Sequence, residues 1–135
     1  MISLDTNVLV RVVTADDPDQ LAVALETMKA DDLWVCKTVL LETEWVLRYS
    51  YELSRETVLE IFRRLLGYRN LTVEDPENVF LALDLFSEGL DFADALHVSS
   101  SRGADRFATF DRPMANAARA LLAHPAIELL AGSRT

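Results

Sequence analysis

Four acidic side chains stand where a chain of this length could do chemistry. Asp5 follows the short apolar run Met1-Ile2-Ser3-Leu4 and precedes Thr6-Asn7, while Asp111 follows Arg106-Phe107-Ala108-Thr109-Phe110 and precedes Arg112-Pro113. Each is a strand, then an acid, then a helix start, which sets a carboxylate at the carboxyl end of a strand, the side of an open α/β sheet where ligands bind. Glu42 comes after a third apolar run, Leu33-Trp34-Val35-Cys36, just past the first turn of the helix that follows it. Asp94 lies in the first turn of a helix opened by Gly89-Leu90-Asp91. In one parallel sheet these positions share a rim. Two carboxylates about 4 Å apart repel by about 4 kcal/mol at an effective dielectric of about 20. A hard divalent cation with oxygen ligands, Mg²⁺ or Mn²⁺, is therefore expected among them. Such a site can activate water and hold a phosphoryl oxygen for in-line displacement, so the chemistry in view is metal-dependent phosphodiester hydrolysis.

Each acid also has a plainer role. Asp5 alone reads as a helix cap, as Asp often is. Asp91 is the natural cap of its helix, and Asp94 three residues on shares its face, at a cost of a few tenths of a kcal/mol that the helix N-terminus offsets. One acid would suffice for capping, however. The second sits among Phe92, Ala93, Ala95 and Leu96, on a segment that otherwise favours burial, where a carboxylate needs a partner or a metal. Glu42 and Glu44 are two apart, about 200° around a helix, so they cannot both face one pocket, and periodicity does not choose between them. His97 falls on a neighbouring face of the Asp94 helix and is assigned a packing role. The acids of Asp16-Asp17-Pro18-Asp19 read as a solvated turn.

The elements that must position these side chains follow from the same periodicities. Helices are expected from Thr6 with Val8, Leu9, Val12 and Val13 inward; from an Asp17 cap with Leu21, Ala24, Leu25 and Met28 inward; and from a Thr38 cap as far as Tyr49-Leu53. A Ser54 cap opens the next, with Val58, Ile61, Phe62, Leu65 and Leu66 inward and Gly67 at its end. Asp75-Pro76 opens another bearing Val79, Phe80, Leu83 and Phe86. The Asp91 helix runs to Gly103, and the last helix carries Ala115, Ala118, Leu121 and Leu122. Strands are expected at 1–4, 33–36, 71–73, 106–110 and 127–130, the last at an edge. Strands alternating with helices predict an α/β fold with a parallel sheet and helices on both sides. Residues 1–131 read as one domain and 132–135 as a frayed tail, with no linker or internal repeat.

Composition narrows the setting. Of 135 residues half are hydrophobic, with four Gly and four Pro, which argues against disorder. The single cysteine, Cys36, lies in an apolar run and is expected to be a buried thiol in a reducing compartment. No signal peptide and no run approaching a membrane span is evident, so a cytoplasmic location is expected. The formal charge of −9 opposes nucleic-acid binding at long range, so a phosphate ligand would need local cations. Arg11, Lys37 and Arg112, each close in sequence to one of the four acids, are candidates, with an ordinary surface role as their alternative.

Leu4-Asp5-Thr6-Asn7-Val8-Leu9, then Val39-Leu40-Leu41-Glu42 with Trp45-Val46-Leu47, then Asp91-Phe92-Ala93-Asp94-Ala95-Leu96-His97, and last Thr109-Phe110-Asp111 occur in this order over essentially the whole chain. Together they resemble the PIN-domain ribonucleases, and within them the VapC-like toxins of toxin–antitoxin pairs. The resemblance implies a three-layer α/β/α fold with a central parallel β-sheet and an acidic pocket of Asp5, Glu42, Asp94 and Asp111, favouring Glu42 over Glu44. It implies Asp5 and Asp94 as metal ligands for Mg²⁺ or Mn²⁺, Glu42 and Asp111 completing the pocket, and hydrogen bonds from Thr6, Asn7 and Thr109. It also implies an RNA substrate, a small antitoxin bringing a basic residue to the pocket, and a homodimer. The helices from Thr38 to Gly67 are the candidate groove and dimer surface, although core packing is the plainer fate of most of their apolar side chains.

Two other classes compete. Phosphatases of the haloacid-dehalogenase type also place an acid after a first strand, but they need a second acid two residues on, where this chain has Asn7, and a lysine near Asp94 or Asp111 is lacking. A catalytically silent domain that binds RNA or a protein partner is the other, and the presence of all four acids speaks against it.

Overall fold

The computed structural model describes residues 1–132, with parallel strands and helices alternating along the chain. The expected tail therefore falls, beyond Gly132, outside the described residues. The chain divides into two compact units, Met1–Pro76 and the part from Glu77 onward.

The first unit is built on three parallel strands, β1 (Ile2–Ser3), β2 (Leu33–Val35) and β3 (Leu71–Val73), with β2 in the middle. Leu33 pairs with Ile2 on one side and Leu71 on the other, and Val35 pairs with Val73. Leu33 and Val35 are wholly buried, as expected for a central strand whose crossover helices cover the sheet. The crossovers are α1 (Thr6–Thr14), α2 (Pro18–Ala30), α3 (Lys37–Trp45) and α4 (Arg55–Leu66). Asp17 caps α2 by accepting from the Gln20 N–H at 3.1 Å with Pro18 at the first helical position, and Ser54 caps α4 through the Thr57 N–H at 3.1 Å. Val58, Phe62, Leu65 and Leu66 form the buried stripe of α4.

Two expectations fail in the third helix. Thr38 is exposed and is not the cap; α3 begins at Lys37, and Cys36 occupies the cap position without a side-chain hydrogen bond. The Lys37 N–H is instead satisfied by the Glu74 Oε1 at 2.9 Å, a partner from beyond β3 that local sequence does not reveal. Cys36 is accordingly half-buried, not enclosed. Beyond Trp45 the helix widens into a π-helical turn, Val46–Ser50, closed by the Tyr51 N–H on the Val46 carbonyl at 3.2 Å. Trp45 and Tyr49 face outward, 57% and 61% exposed, with ring centroids 5.5 Å apart, so these two aromatics are not core. Leu25 of α2 is likewise more exposed than its spacing implies.

The second unit contains α5 from Glu77 onward (Pro76–Ser87), α6 (Phe92–Ser99), β4 (Arg106–Thr109), α7 (Arg112–Leu121) and β5 (Ala126–Leu129). β4 and β5 are parallel, Phe107 opposite Ile127. Their hydrogen-bonded ladder is separate from that of β1–β3 among the described residues. Val98, Met114, Ala115, Ala118 and Ile127 form a buried cluster joined by Phe107, Leu122 and Leu129. Phe86 and Phe92 meet edge to face at 5.4 Å. α6 stops at Ser99 rather than Gly103, through the run Ser99-Ser100-Ser101 whose hydroxyls at 99 and 101 bond back to helix carbonyls. Phe80 and Leu121 are partly exposed, contrary to their helical spacing. No described helix is long and apolar enough to cross a membrane.

Phe62 is fully buried and Val23 is 68% exposed. Phe62→Ala should lower the unfolding free energy in urea by about 3–5 kcal/mol, whereas Val23→Ala should stay within about 0.5 kcal/mol.

Candidate functional site

In the first unit the strand-to-helix junction at β1 fixes Asp5. Its backbone is extended, its Oδ1 accepts from the Thr6 N–H at 2.8 Å, and its carbonyl accepts from Val8 at 3.1 Å, so it does cap α1. Capping occupies one oxygen; the other has no hydrogen-bond partner among the described residues. The Thr6 hydroxyl, on a buried residue, donates to Oε1 of Glu42, a short bond that ties the start of α1 to α3. Asp5, Thr6, Asn7, Val10, Arg11, Glu42, Val46, Ser50 and Tyr51 line a cavity of about 440 Å³. The choice the helical wheel left open is resolved in space. Glu42 is exposed on this cavity, while Glu44 is buried and pairs with Arg48 at 3.5 Å.

In the second unit Asp111 caps α7 through the Met114 N–H at 3.1 Å, and its own N–H donates to the Thr109 Oγ1 at 3.0 Å. Asp91 occupies the cap position of α6, but its side chain makes no capping hydrogen bond; its carbonyl alone accepts, from Ala95 at 2.8 Å. Capping therefore does not explain this acid pair. Asp94 is half-buried, with no hydrogen bond or ion pair to its carboxylate among the described residues. Burial first, then the charges of Asp91 and Asp111, push its carboxyl above the ordinary range, and His97 opposes this only in part. His97 itself is exposed on α6, not packed as expected.

The four acids thus fall as two pairs, Asp5 with Glu42 and Asp94 with Asp111. No group of three or more His, Cys, Asp or Glu side chains forms a ready metal cage among the described residues. Mg²⁺ does not require one, because it keeps several waters and is commonly held by one or two carboxylates together with substrate phosphates. Carboxylates with an oxygen that accepts no hydrogen bond among the described residues, as at Asp5, or with no hydrogen bond or ion pair among them, as at Asp94, suit such an ion.

Of the three candidate cations, Lys37 has its ammonium 2.5 Å from Asp75 and Arg112 lies at the start of α7. Arg11 lines the Asp5–Glu42 cavity. The periodicity missed Tyr51 on the same wall, because its position depends on the π turn before it.

The chain is thus an α/β protein with parallel strands and with carboxylates at its strand and helix ends. The PIN domain pattern matches residues 2–120, and the chain belongs to the PIN domain family, whose members are generally nucleases. No curated protein and no solved structure matches the chain.

The raised Asp94 carboxyl has a signed consequence. Because its folded-state value lies above its unfolded one, ionisation opposes folding; the penalty is absent well below the unfolded value and complete above the folded one. Asp94→Asn should raise the Tm of the metal-free protein at pH 7, and the gain should vanish at about pH 3; a pH series of thermal melts reads both.

Proposed function

We propose that this chain is a metal-dependent ribonuclease and the toxin of a toxin–antitoxin pair, with Asp5, Glu42, Asp94 and Asp111 as its catalytic acids. The observation that carries the reading is Asp94: a half-buried carboxylate beside two more acids, without a hydrogen bond or ion pair among the described residues and opposed only in part by His97, in a chain that matches the PIN domain pattern. A catalytically idle fold would have little reason to retain that repulsion. We further take residues 1–131 as one domain, a reading supported by the family match running through the boundary between the two units.

Asp5 and Asp94 are the proposed ligands of Mg²⁺ or Mn²⁺, each with carboxylate capacity to spare. The bound ion would supply charge neutralisation and a water acidic enough to attack at neutral pH. Glu42, whose carboxylate accepts from the Thr6 hydroxyl, would orient an attacking water and take up its proton. Asp111, fixed by the α7 cap and by Thr109, completes the acidic set. Asn7 offers an amide on the cavity wall for a phosphate or ribose oxygen.

An acidic protein of this kind suits a basic inhibitor. The proposed antitoxin is a small chain with an Arg or Lys directed at the acids, and the exposed Trp45–Tyr49 pair, with Arg48 5.8 Å above the Tyr49 ring, belongs to the proposed partner and homodimer surface. A short reading frame encoding a DNA-binding protein beside this gene, and its copurification with the chain, would support that part.

Asp5→Asn and Asp94→Asn should each reduce Mg²⁺-dependent RNA cleavage by more than about 100-fold, the loss that even outer-shell changes approach at metal sites, with circular dichroism unchanged. Mg²⁺ should raise the Tm of the wild type and raise that of either variant much less. Equal stabilisation of all three, or cleavage surviving both substitutions, would refute the metal reading. Sequencing the RNA ends produced in cells by wild type against Asp5→Asn identifies the RNA that is cut.

A further inference from the structure

An acidic chain that cuts RNA must receive a phosphate against its own field, and the first unit contains a device suited to that task. Arg11 is the one basic side chain among the residues lining the cavity with Asp5 and Glu42. Its guanidinium is not left to swing in solvent. Nε donates to Gln20 Oε1 at 2.6 Å, and Nη1 donates to Asp16 Oδ1 at 3.3 Å and to the Tyr51 hydroxyl at 3.4 Å. Nη2 has no partner among the described residues, and the side chain is 29% exposed. Two edges of the fork are therefore held by protein while one is presented outward, an arrangement suited to a single phosphate oxygen.

The holding groups are themselves organised. Tyr51 donates its hydroxyl to Asp16 Oδ2 at 2.7 Å, and Thr14 donates to Asp16 Oδ1 at 3.0 Å. These two bonds, more than the Arg11 charge, hold the Asp16 carboxyl below the ordinary range. Asp16 therefore orients Arg11 without depending on it, and the Arg11–Asp16 contact, at 3.3 Å and partly exposed, is a weak ion pair that a phosphate can displace or share. Tyr51 follows the π-helical turn Val46–Ser50, and the Leu53 N–H closes the segment on the Leu47 carbonyl at 3.0 Å. Such turns are frequent at functional sites, and this one carries the residue that links α3 to the Arg11 network.

We infer that Arg11 is the anchor for the backbone of unpaired RNA at this site: a phosphate oxygen docks on its free Nη2 edge, with Tyr51, Asp16 and Gln20 as its positioning residues. The inference rests on the ribonuclease reading above. It assigns a role to the Asp16 turn, which the charge pattern alone marked as solvated surface, and it explains how a chain of charge −9 admits a polyanion.

Binding of a fluorescein-labelled single-stranded RNA is measured by anisotropy across a salt series, in an Asp94→Asn background so that the probe stays intact. Arg11→Gln should weaken binding about tenfold and flatten the slope of log affinity against log salt by about 0.7, the contribution of one phosphate contact on a single strand. Arg11→Lys should keep the slope but lose several-fold in affinity, because the charge remains and the fork does not. Tyr51→Phe, in the active protein, should raise KM more than it lowers kcat. If Arg11 serves only to end α1, Arg11→Gln will lower the Tm and leave affinity and slope unchanged, and the inference is wrong. Should Arg11→Gln fail to fold, unchanged affinity in Arg11→Lys together with an unchanged KM in Tyr51→Phe overturns it equally. Absence of RNA binding by the Asp94→Asn parent itself would defeat the ribonuclease reading and this inference with it, whereas binding by the parent that is insensitive to Arg11 defeats the inference alone.

Discussion

Negative charge held close to negative charge, with His97 opposing it only in part, is the constraint on which this molecule turns. Asp94 expresses it most directly, being partly removed from water on α6 and facing the charges of Asp91 and Asp111. A carboxylate in such surroundings favours its protonated form unless positive charge arrives from outside. The alternative, that these acids serve their helices, holds for only part of the set. Asp5 and Asp111 do cap α1 and α7, each through one oxygen, but Asp91 makes no side-chain cap and the Asp94 carboxylate makes no hydrogen bond among the described residues. The capping acids gain a fixed orientation from their helices, and the uncapped one keeps its carboxylate clear of hydrogen bonds among the described residues. Both properties are useful at a hydrolytic site.

The first unit shows how secondary structure is used to hold such groups. β2, central and buried, leads through Cys36 into α3, and Glu42 appears on the second turn of that helix. β1, its neighbour, leads directly into Asp5 and Thr6, and one hydroxyl joins the two helix starts by bonding Glu42. Further along α3 the buried Glu44 pairs with the half-buried Arg48 of the π turn, on the side of the helix away from Glu42. The π turn that follows carries Val46 and Ser50 onto the cavity wall and ends at Tyr51.

Much of this was legible in the residue pattern. The β-strand runs, the Asp17 and Ser54 caps, and the acids at Asp5 and Asp111 follow from alternation and turn chemistry, which are local. What was not legible depended on contacts distant in sequence. Thr38 has the composition of a cap, yet the first N–H of α3 is met by Glu74, which lies beyond another strand. Trp45 and Tyr49 look like core by size, and their outward direction depends on how α3 sits over β2 and on the widening of its last turn. Nothing in Val46–Ser50 announces a π turn, so Tyr51 and its bond to Asp16 could not be read from spacing. Glu42 and Glu44 were equivalent on a helical wheel, and only the position of Arg48 and Thr6 in space separates a buried pair from a cavity-lining acid.

The central proposal is that the carboxylates of Asp5 and Asp94 are the metal ligands of this chain. Calorimetric titration of Mn²⁺ into the wild type, Asp5→Asn, Asp94→Asn and the double variant tests it without reference to any RNA. The proposal predicts that each single substitution removes most of the Mn²⁺ affinity and that the double variant recovers none of it. An affinity indifferent to Asp5 or to Asp94 would mean that the acid concerned serves its helix and not a metal, and the proposal would fail.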